Sequence, residues 1–271
     1  MEQNSLADKI ARLEDLLRSY KSAIVGFSSG VDSSLVSYMA NKTLSTNAII
    51  VLARTETITR EDVELAHQLA RQFGFRYREI SYNELDIPEY AANPVNRCYF
   101  CKHELYTRLQ ALADEVHIQT ILDGANTDDL GDYRPGRMAA RELKIFSPLI
   151  DAQFSKLDVR AAARFFGLPN SEKPAAPCLS SRIPYGTSID RKSLEQIASA
   201  ERYIREKGFT NVRVRHHSTV AKVEVDIAAL PRLKQMQHDV ETHLKQLGYS
   251  QVVIDEEGFA SGKLNRDIPT S

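Results

Sequence analysis

Ser28-Ser29-Gly30-Val31-Asp32-Ser33 gathers three hydroxyls, a glycine and a carboxylate into six residues. An apolar run, Ala23 to Phe27, precedes it, and a helix-like stripe from Leu35 to Met39 follows. Small residues between a strand and a helix leave backbone N–H groups open, and the helix N-terminus adds partial positive charge. Such a loop can cradle phosphate oxygens. No Lys-Ser/Thr pair follows Gly30, so this is not the Walker-type loop, and the nucleotide it implies is handled differently. The bland alternative is a strand–helix turn with an ordinary Ser or Asp cap.

The three cysteines carry the next signal. Cys98-Tyr99-Phe100-Cys101 stands just before a helical stripe, and Cys178 sits in a Pro- and Ser-rich loop. A Cys-x-x-Cys at a helix start could be a redox pair with a depressed thiol pKa. A structural zinc would need a fourth ligand, and the spacing of His103 from Cys101 is not a usual finger pattern. An iron–sulfur cluster on three thiolates would leave one iron open. Three unrelated buried thiols are the remaining alternative.

Asp123-Gly124-Ala125-Asn126-Thr127-Asp128-Asp129 follows an apolar strand and continues to Gly136. Clustered carboxylates at a strand end can hold a magnesium–nucleotide complex, and they are also plain turn formers. Arg213 and Arg215 alternate with Val212 and Val214, which puts both arginines on one strand face. That face could grip a phosphate or carboxylate, or simply be solvated with cross-strand Arg–Glu pairs. Glu201 falls on the apolar stripe of Leu194, Ile197 and Ile204, where a carboxylate marks a seam or a catalytic role.

Regular elements must hold these residues in place. Ile10, Leu13, Leu16 and Leu17 give a first helical stripe, and Ala23–Phe27 and Ala48–Ala53 read as buried strands. Thr59 with Asp62 opens a helix that Gly74 stops. Phe75–Ile80 and Ile118–Leu122 supply two further strands, and Leu105–Leu112 and Ser155–Phe166 two further helices. Apolar strands alternating with helices predict an α/β fold, a parallel sheet with helices on both faces. Ligands of such sheets sit beyond the C-terminal strand ends, where the Ser28 loop and the Asp123 segment lie. Residues 169–190 predict a linker or active-site loop between a first domain over 1–168 and a small α+β domain over 191–271.

At 271 residues the chain can bury one large core or two moderate ones. With 42% hydrophobic and 26% charged residues it reads as an ordinary soluble globular protein. A net charge of −1 gives no global attraction for nucleic acid. No run approaches ~18 apolar residues, so no membrane span is expected. The start, MEQNSLADKI, lacks the basic and apolar regions of a signal peptide, which predicts a cytoplasmic, reducing location.

Several motifs together resemble one family. The Ser28–Ser33 loop, the Asp123–Gly136 segment, Ser180-Ser181-Arg182-Ile183-Pro184-Tyr185-Gly186 and Val212-Arg213-Val214-Arg215 match, in order, the LarE-type sulfur transferases of the PP-loop ATPase superfamily. The loop departs at Ser29, where the S-G-G-x-D-S pattern has glycine. The resemblance implies ATP, cut between its α and β phosphates with magnesium, and held by Ser28, Ser29, Gly30, Asp32, Ser33, Gly124 and Asp129. It implies pyridinium-3,5-biscarboxylic acid mononucleotide as substrate, bound by Arg213 and Arg215 with Ser181, Arg182 and Lys102. The product would be the thiocarboxylate precursor of the nickel-pincer nucleotide cofactor of lactate racemase. Some members give up sulfur from a cysteine three residues ahead of the first Ser. That position is Pro177 here, and Cys178 is displaced by one. The chain instead resembles the branch in which three cysteines, here Cys98, Cys101 and Cys178, hold a 4Fe-4S cluster whose open iron carries sulfide. These cysteines and Glu201 are the expected catalytic residues. A sulfide source and a homo-oligomer, a hexamer, complete what the resemblance implies.

Two rivals differ in chemistry. A tRNA thiolase shares the loop and often three cysteines, but the net charge and the lack of an added RNA-binding module argue against it. An amide-forming synthetase using ammonia would not need the cysteines.

Overall fold

The computed structural model describes residues 5–131, 135–174, 177–260 and 263–264. The chain divides into two compact units, residues 1–83 with 96–176, and residues 84–95 with 177–271.

In the first unit, helix α1 (Leu6–Tyr20) starts on a Ser5/Asp8 capping box, which satisfies backbone donors that would otherwise be open. Strand β1 (Ala23–Phe27) leads through the serine loop into α2 (Val31–Leu44). Then come β2 (Ala48–Arg54), α3 (Arg60–Phe73), capped by Thr59 and closed by left-handed Gly74, and β3 (Tyr77–Ser81). The short α4 (Pro88–Ala91) belongs to the other unit. The first unit resumes with α5 (Arg97–Glu115), β4 (Ile121–Leu122), α6 (Gly136–Glu142), α7 (Pro148–Asp151) and α8 (Lys156–Phe165).

The strands form one parallel sheet in the order β3-β2-β1-β4. Period-two alternation explains why they read as unbroken apolar runs. Val25, Phe27, Ile50 and Leu52 enter the core on one face, while Ile24, Ile49 and Val51 enter that on the other. Strand β4 is shorter than the predicted Ile118–Leu122. The chain turns at His117, with φ 58°, so Ile118 packs into the core without sheet pairing.

In the second unit, α9 (Arg191–Glu206), capped by Asp190, packs on β5 (Val212–His217). Strand β6 (Val220–Val225) pairs antiparallel with β5 and parallel with β7 (Gln251–Ile254). The predicted helix over Leu233–Leu247 is two, α10 (Leu230–Gln235) and α11 (Gln237–Gln246), separated at Met236. Residues 169–190, read as a linker, divide between the units at 176/177. Among the described residues no helix is long and apolar enough to cross a membrane.

Candidate active site

At the C-terminal end of β1 the serine loop turns through Ser29, which is fully buried and left-handed at φ 55°. Gly30 caps α2 in an extended conformation without a side-chain cap bond, so the first-turn N–H groups face the loop unmasked by a cap. Ser33 Oγ accepts from Ser28 N–H at 3.2 Å, donates to Gly30 O at 3.1 Å and lies 3.1 Å from Ser28 Oγ. A Cβ on Gly124 would stand 2.7 Å from Ser33 N and 2.9 Å from Ser33 Cα. Only glycine lets the β4 exit come so close to the start of α2.

Asn126 of the acidic segment converges here with one asparagine and two lysines that the sequence reading passed over, Asn170, Lys156 and Lys173. Asp32 accepts from Asn126 Nδ2 at 3.0 Å and from Lys156 Nζ at 2.5 Å. The Ser29 carbonyl accepts from Asn170 Nδ2 at 3.0 Å and Lys173 Nζ at 3.2 Å. Lys173 also lies 3.3 Å from Ser29 Oγ and pairs with Asp62 at 2.5 Å.

The acidic segment is mostly occupied with its own folding. Asp129 accepts from Asn126 N–H as half of a capping box over Thr127–Leu130. Asp128 accepts from Lys156 N–H, and Asp123 accepts from Ala125 N–H, Ser147 Oγ and Tyr106 OH. Burial, and then Asp123, push the Tyr106 hydroxyl well above its ordinary pKa. Asp32 is the carboxylate within the serine loop itself and could contribute to magnesium, which takes one or two carboxylates together with substrate phosphates. Residues 132–134 of this segment lie outside the described residues.

Cys98 and Cys101 occupy the first turns of α5, where a three-residue spacing puts them on one helix face. Cys98 is exposed and Cys101 half-buried, and neither these nor Cys178 is in a disulfide. Lys102 Nζ stands 5.5 Å from the Tyr106 ring centroid. A Cβ on Gly136 would meet Lys102 Cγ at 2.9 Å and Cys98 O at 3.4 Å, so a bare glycine backs the cysteine turn. Among the described residues no group of three or more His, Cys, Asp or Glu is placed to hold a metal ion.

In the second unit, Cys178 caps a 3-10 turn over Leu179–Arg182. Its carbonyl accepts from Ser181 N–H at 3.0 Å and Arg182 Nη1 at 3.1 Å, and Arg182 Nη1 also donates to Pro177 O at 2.6 Å. Arg182, only 2% exposed, makes a bidentate pair with fully buried Glu201 at 2.7 and 2.9 Å. Glu201 accepts further bonds from Arg205 at 2.5 Å and Val214 N–H at 3.0 Å. Burial works to raise its pKa, but Arg182, Arg205 and Arg213 bring it below the ordinary value. Each nitrogen of Arg182 is engaged, so this arginine holds the Cys178 turn.

Arg213 is buried, with its guanidinium 5.0 Å from the Phe259 ring centroid. Burial and then Arg182 lower its pKa to about 10. Arg215 makes a bidentate pair with Glu224 at 3.1 and 3.0 Å and donates to Ser181 O at 2.9 Å. The segment inserted at 84–95 supports the same loop. Asn93 donates to Pro184 O at 2.8 Å and Thr187 O at 2.9 Å, and Tyr90 and Ser180 share a hydroxyl bond at 2.5 Å.

The sequence model of the NAD synthase family matches residues 6–109. The pyridinium-3,5-bisthiocarboxylic acid mononucleotide synthase of Lactiplantibacillus plantarum is 36% identical over 96% of this chain and 95% of its own length. An uncharacterized protein of Synechocystis sp. is 40% identical over 96% of this chain and 98% of its own. An uncharacterized Methanocaldococcus jannaschii protein is 25% identical over 93% of this chain and 98% of its own.

Proposed function

The chain belongs to the pyridinium-3,5-bisthiocarboxylic acid mononucleotide synthase family, and we propose that it is an ATP-dependent sulfur transferase acting on pyridinium-3,5-biscarboxylic acid mononucleotide. A carboxylate oxygen is a poor leaving group. In the proposed reaction it attacks the α-phosphorus of ATP and pyrophosphate departs. Sulfide then adds to the acyl carbon, and AMP leaves with the former carboxylate oxygen, giving the thiocarboxylate. This step serves nickel-pincer cofactor synthesis.

Ser28, Ser33 and the open N–H groups of α2 would hold the departing pyrophosphate, and Asp32 together with the phosphates would hold a magnesium ion that neutralises their charge. Ser29, Gly30, Gly124 and Asp129 serve by shaping that cradle. Arg213 and Arg215 face the substrate phosphate, with Ser181 and Lys102 as further contacts. Arg182 and Glu201 act as positioning residues for the Cys178 turn, Glu201 being enclosed by donors.

Cys98, Cys101 and Cys178 are the proposed cluster ligands. What supports this is the donor set: three thiols outside any disulfide, two of them on one face of α5. A 4Fe-4S cluster on them would leave one iron open for sulfide. A cytoplasmic location and a homo-oligomer belong to the same proposal.

The observation that carries the reading is the cysteine turn clamped by Arg182 and Glu201, in a chain that also has the phosphate loop. The test is mass spectrometry after incubating the protein with the pyridinium dicarboxylate mononucleotide, ATP, magnesium and sulfide. An oxygen-for-sulfur mass gain with pyrophosphate release is expected. An amide from ammonia with no sulfur product would overturn it. For the cluster, anaerobic reconstitution of C98S, C101S and C178S is expected to lower bound iron in each. Undiminished iron and thiolation in any one would remove that cysteine from the ligand set.

A further inference from the structure

We propose that Lys156 and Lys173 are the cationic half of the nucleotide site, held on Asp32 and Asp62 until the triphosphate arrives. The inference rests on the ATP reading above. Residues 28–33 contain no lysine or arginine, and the dipole of α2 offers a phosphate only about half an elementary charge. A nucleoside triphosphate brings several negative charges, and magnesium covers part of them. Two ammonium groups reach the same loop from outside the motif. Lys156, first residue of α8, sits 2.5 Å from Asp32 Oδ2. Lys173 lies 3.2 Å from Ser29 O and 3.3 Å from Ser29 Oγ, with Asp62 Oδ1 at 2.5 Å.

All four side chains are mostly buried, between 19% and 29% exposed. Ammonium groups in such places are costly to leave unpaired, so the free protein needs the aspartates. Phosphate oxygens can replace those carboxylates at short range. The exchange at Lys156 has a second result. While the lysine is on Asp32 it occupies the carboxylate that magnesium would use, so metal binds there with the nucleotide rather than ahead of it. Lys173 acts at the loop's strained residue, and its release from Asp62 moves positive charge toward the phosphates.

The test is equilibrium titration with α,β-methylene-ATP, which cannot be cut between the α and β phosphates. Absence of binding to the wild type would defeat the ATP reading itself. Given wild-type binding, K156M and K173M are expected to raise Kd at least tenfold, with K156R and K173R recovering much of the loss. D62N is expected to bind as tightly as wild type or more so, because it releases Lys173. In the absence of nucleotide, Mn2+ titration by EPR should show a site in K156M that is weak in wild type and lost in K156M/D32N. Unchanged Kd in both methionine variants would overturn the proposal. So would D62N weakening nucleotide as much as K173M, or equal Mn2+ binding by wild type and K156M.

Discussion

Ser29 holds a backbone conformation that glycine adopts freely. Its φ of 55° costs an L-residue about 1–2 kcal/mol. Three hydrogen bonds from Asn170 and Lys173 to its carbonyl and hydroxyl offset that strain. S29G is therefore expected to keep or raise Tm, with nucleotide affinity falling only a few-fold because Lys173 retains the carbonyl. Melting and titration of the one variant check both. Gly124 is the reverse case. G124A drives a methyl into the Ser33 backbone, an overpacking of about 1–3 kcal/mol, and should weaken nucleotide binding along with Tm. E201Q leaves buried Arg182 without its counter-charge, and a loss of about 3–5 kcal/mol in urea unfolding is expected. The residue types at the serine loop were legible because local chemistry makes such a loop. Lys156 and Lys173 were not, because tertiary folding alone brings them to positions 124 and 144 residues earlier. The burial of Arg182 against Glu201 was not legible either, because its motif does not reveal it.

At the scale of elements, caps and periodicity carried most of the information. The Thr59 cap, the Gly74 stop and the alternating β1 and β2 runs all stand where local rules put them. The misread elements failed where packing overrides pattern, as at Ile118, which is apolar and buried yet unpaired. Helix α8 ties a cap to the site. Ser155 and Asp158 form its capping box, and Lys156 is the next residue. S155A is expected to cost about 1 kcal/mol of stability and, by loosening the first turn, to weaken nucleotide binding. A loss of stability with unchanged nucleotide affinity would separate the cap from the site.

Across the whole molecule the net charge of −1 says little, since charges act through local networks. Asp255 is one such centre. Burial works to raise its pKa, but Lys263, Lys222 and Glu257 N–H hold it at about 2. A carboxyl depressed in the folded state stabilises above its unfolded value of about 3.9 and loses that contribution as pH falls toward 2. The second unit should therefore weaken between about pH 4 and pH 2, by on the order of 2 kcal/mol. K263A should move the acid midpoint upward in circular dichroism. The broad plan of an α/β unit followed by a smaller α+β unit was legible from composition and periodicity. The membership of residues 84–95 was not, because Tyr90 and Asn93 find their partners about ninety residues later.

That insertion makes the chain pass between the units at 83/84, 95/96 and 176/177. During synthesis, residues 84–95 leave the ribosome well before the Ser180–Thr187 stretch that Tyr90 and Asn93 bind. A nascent first unit is therefore made before the Ser180–Thr187 partners of Tyr90 and Asn93 exist. A gene fragment ending near residue 176 would encode that same state permanently, with the 180–187 partners of Tyr90 and Asn93 missing. A single crossover therefore cannot exchange either unit whole between relatives; an engineered swap has to carry residues 84–95 along with 177–271.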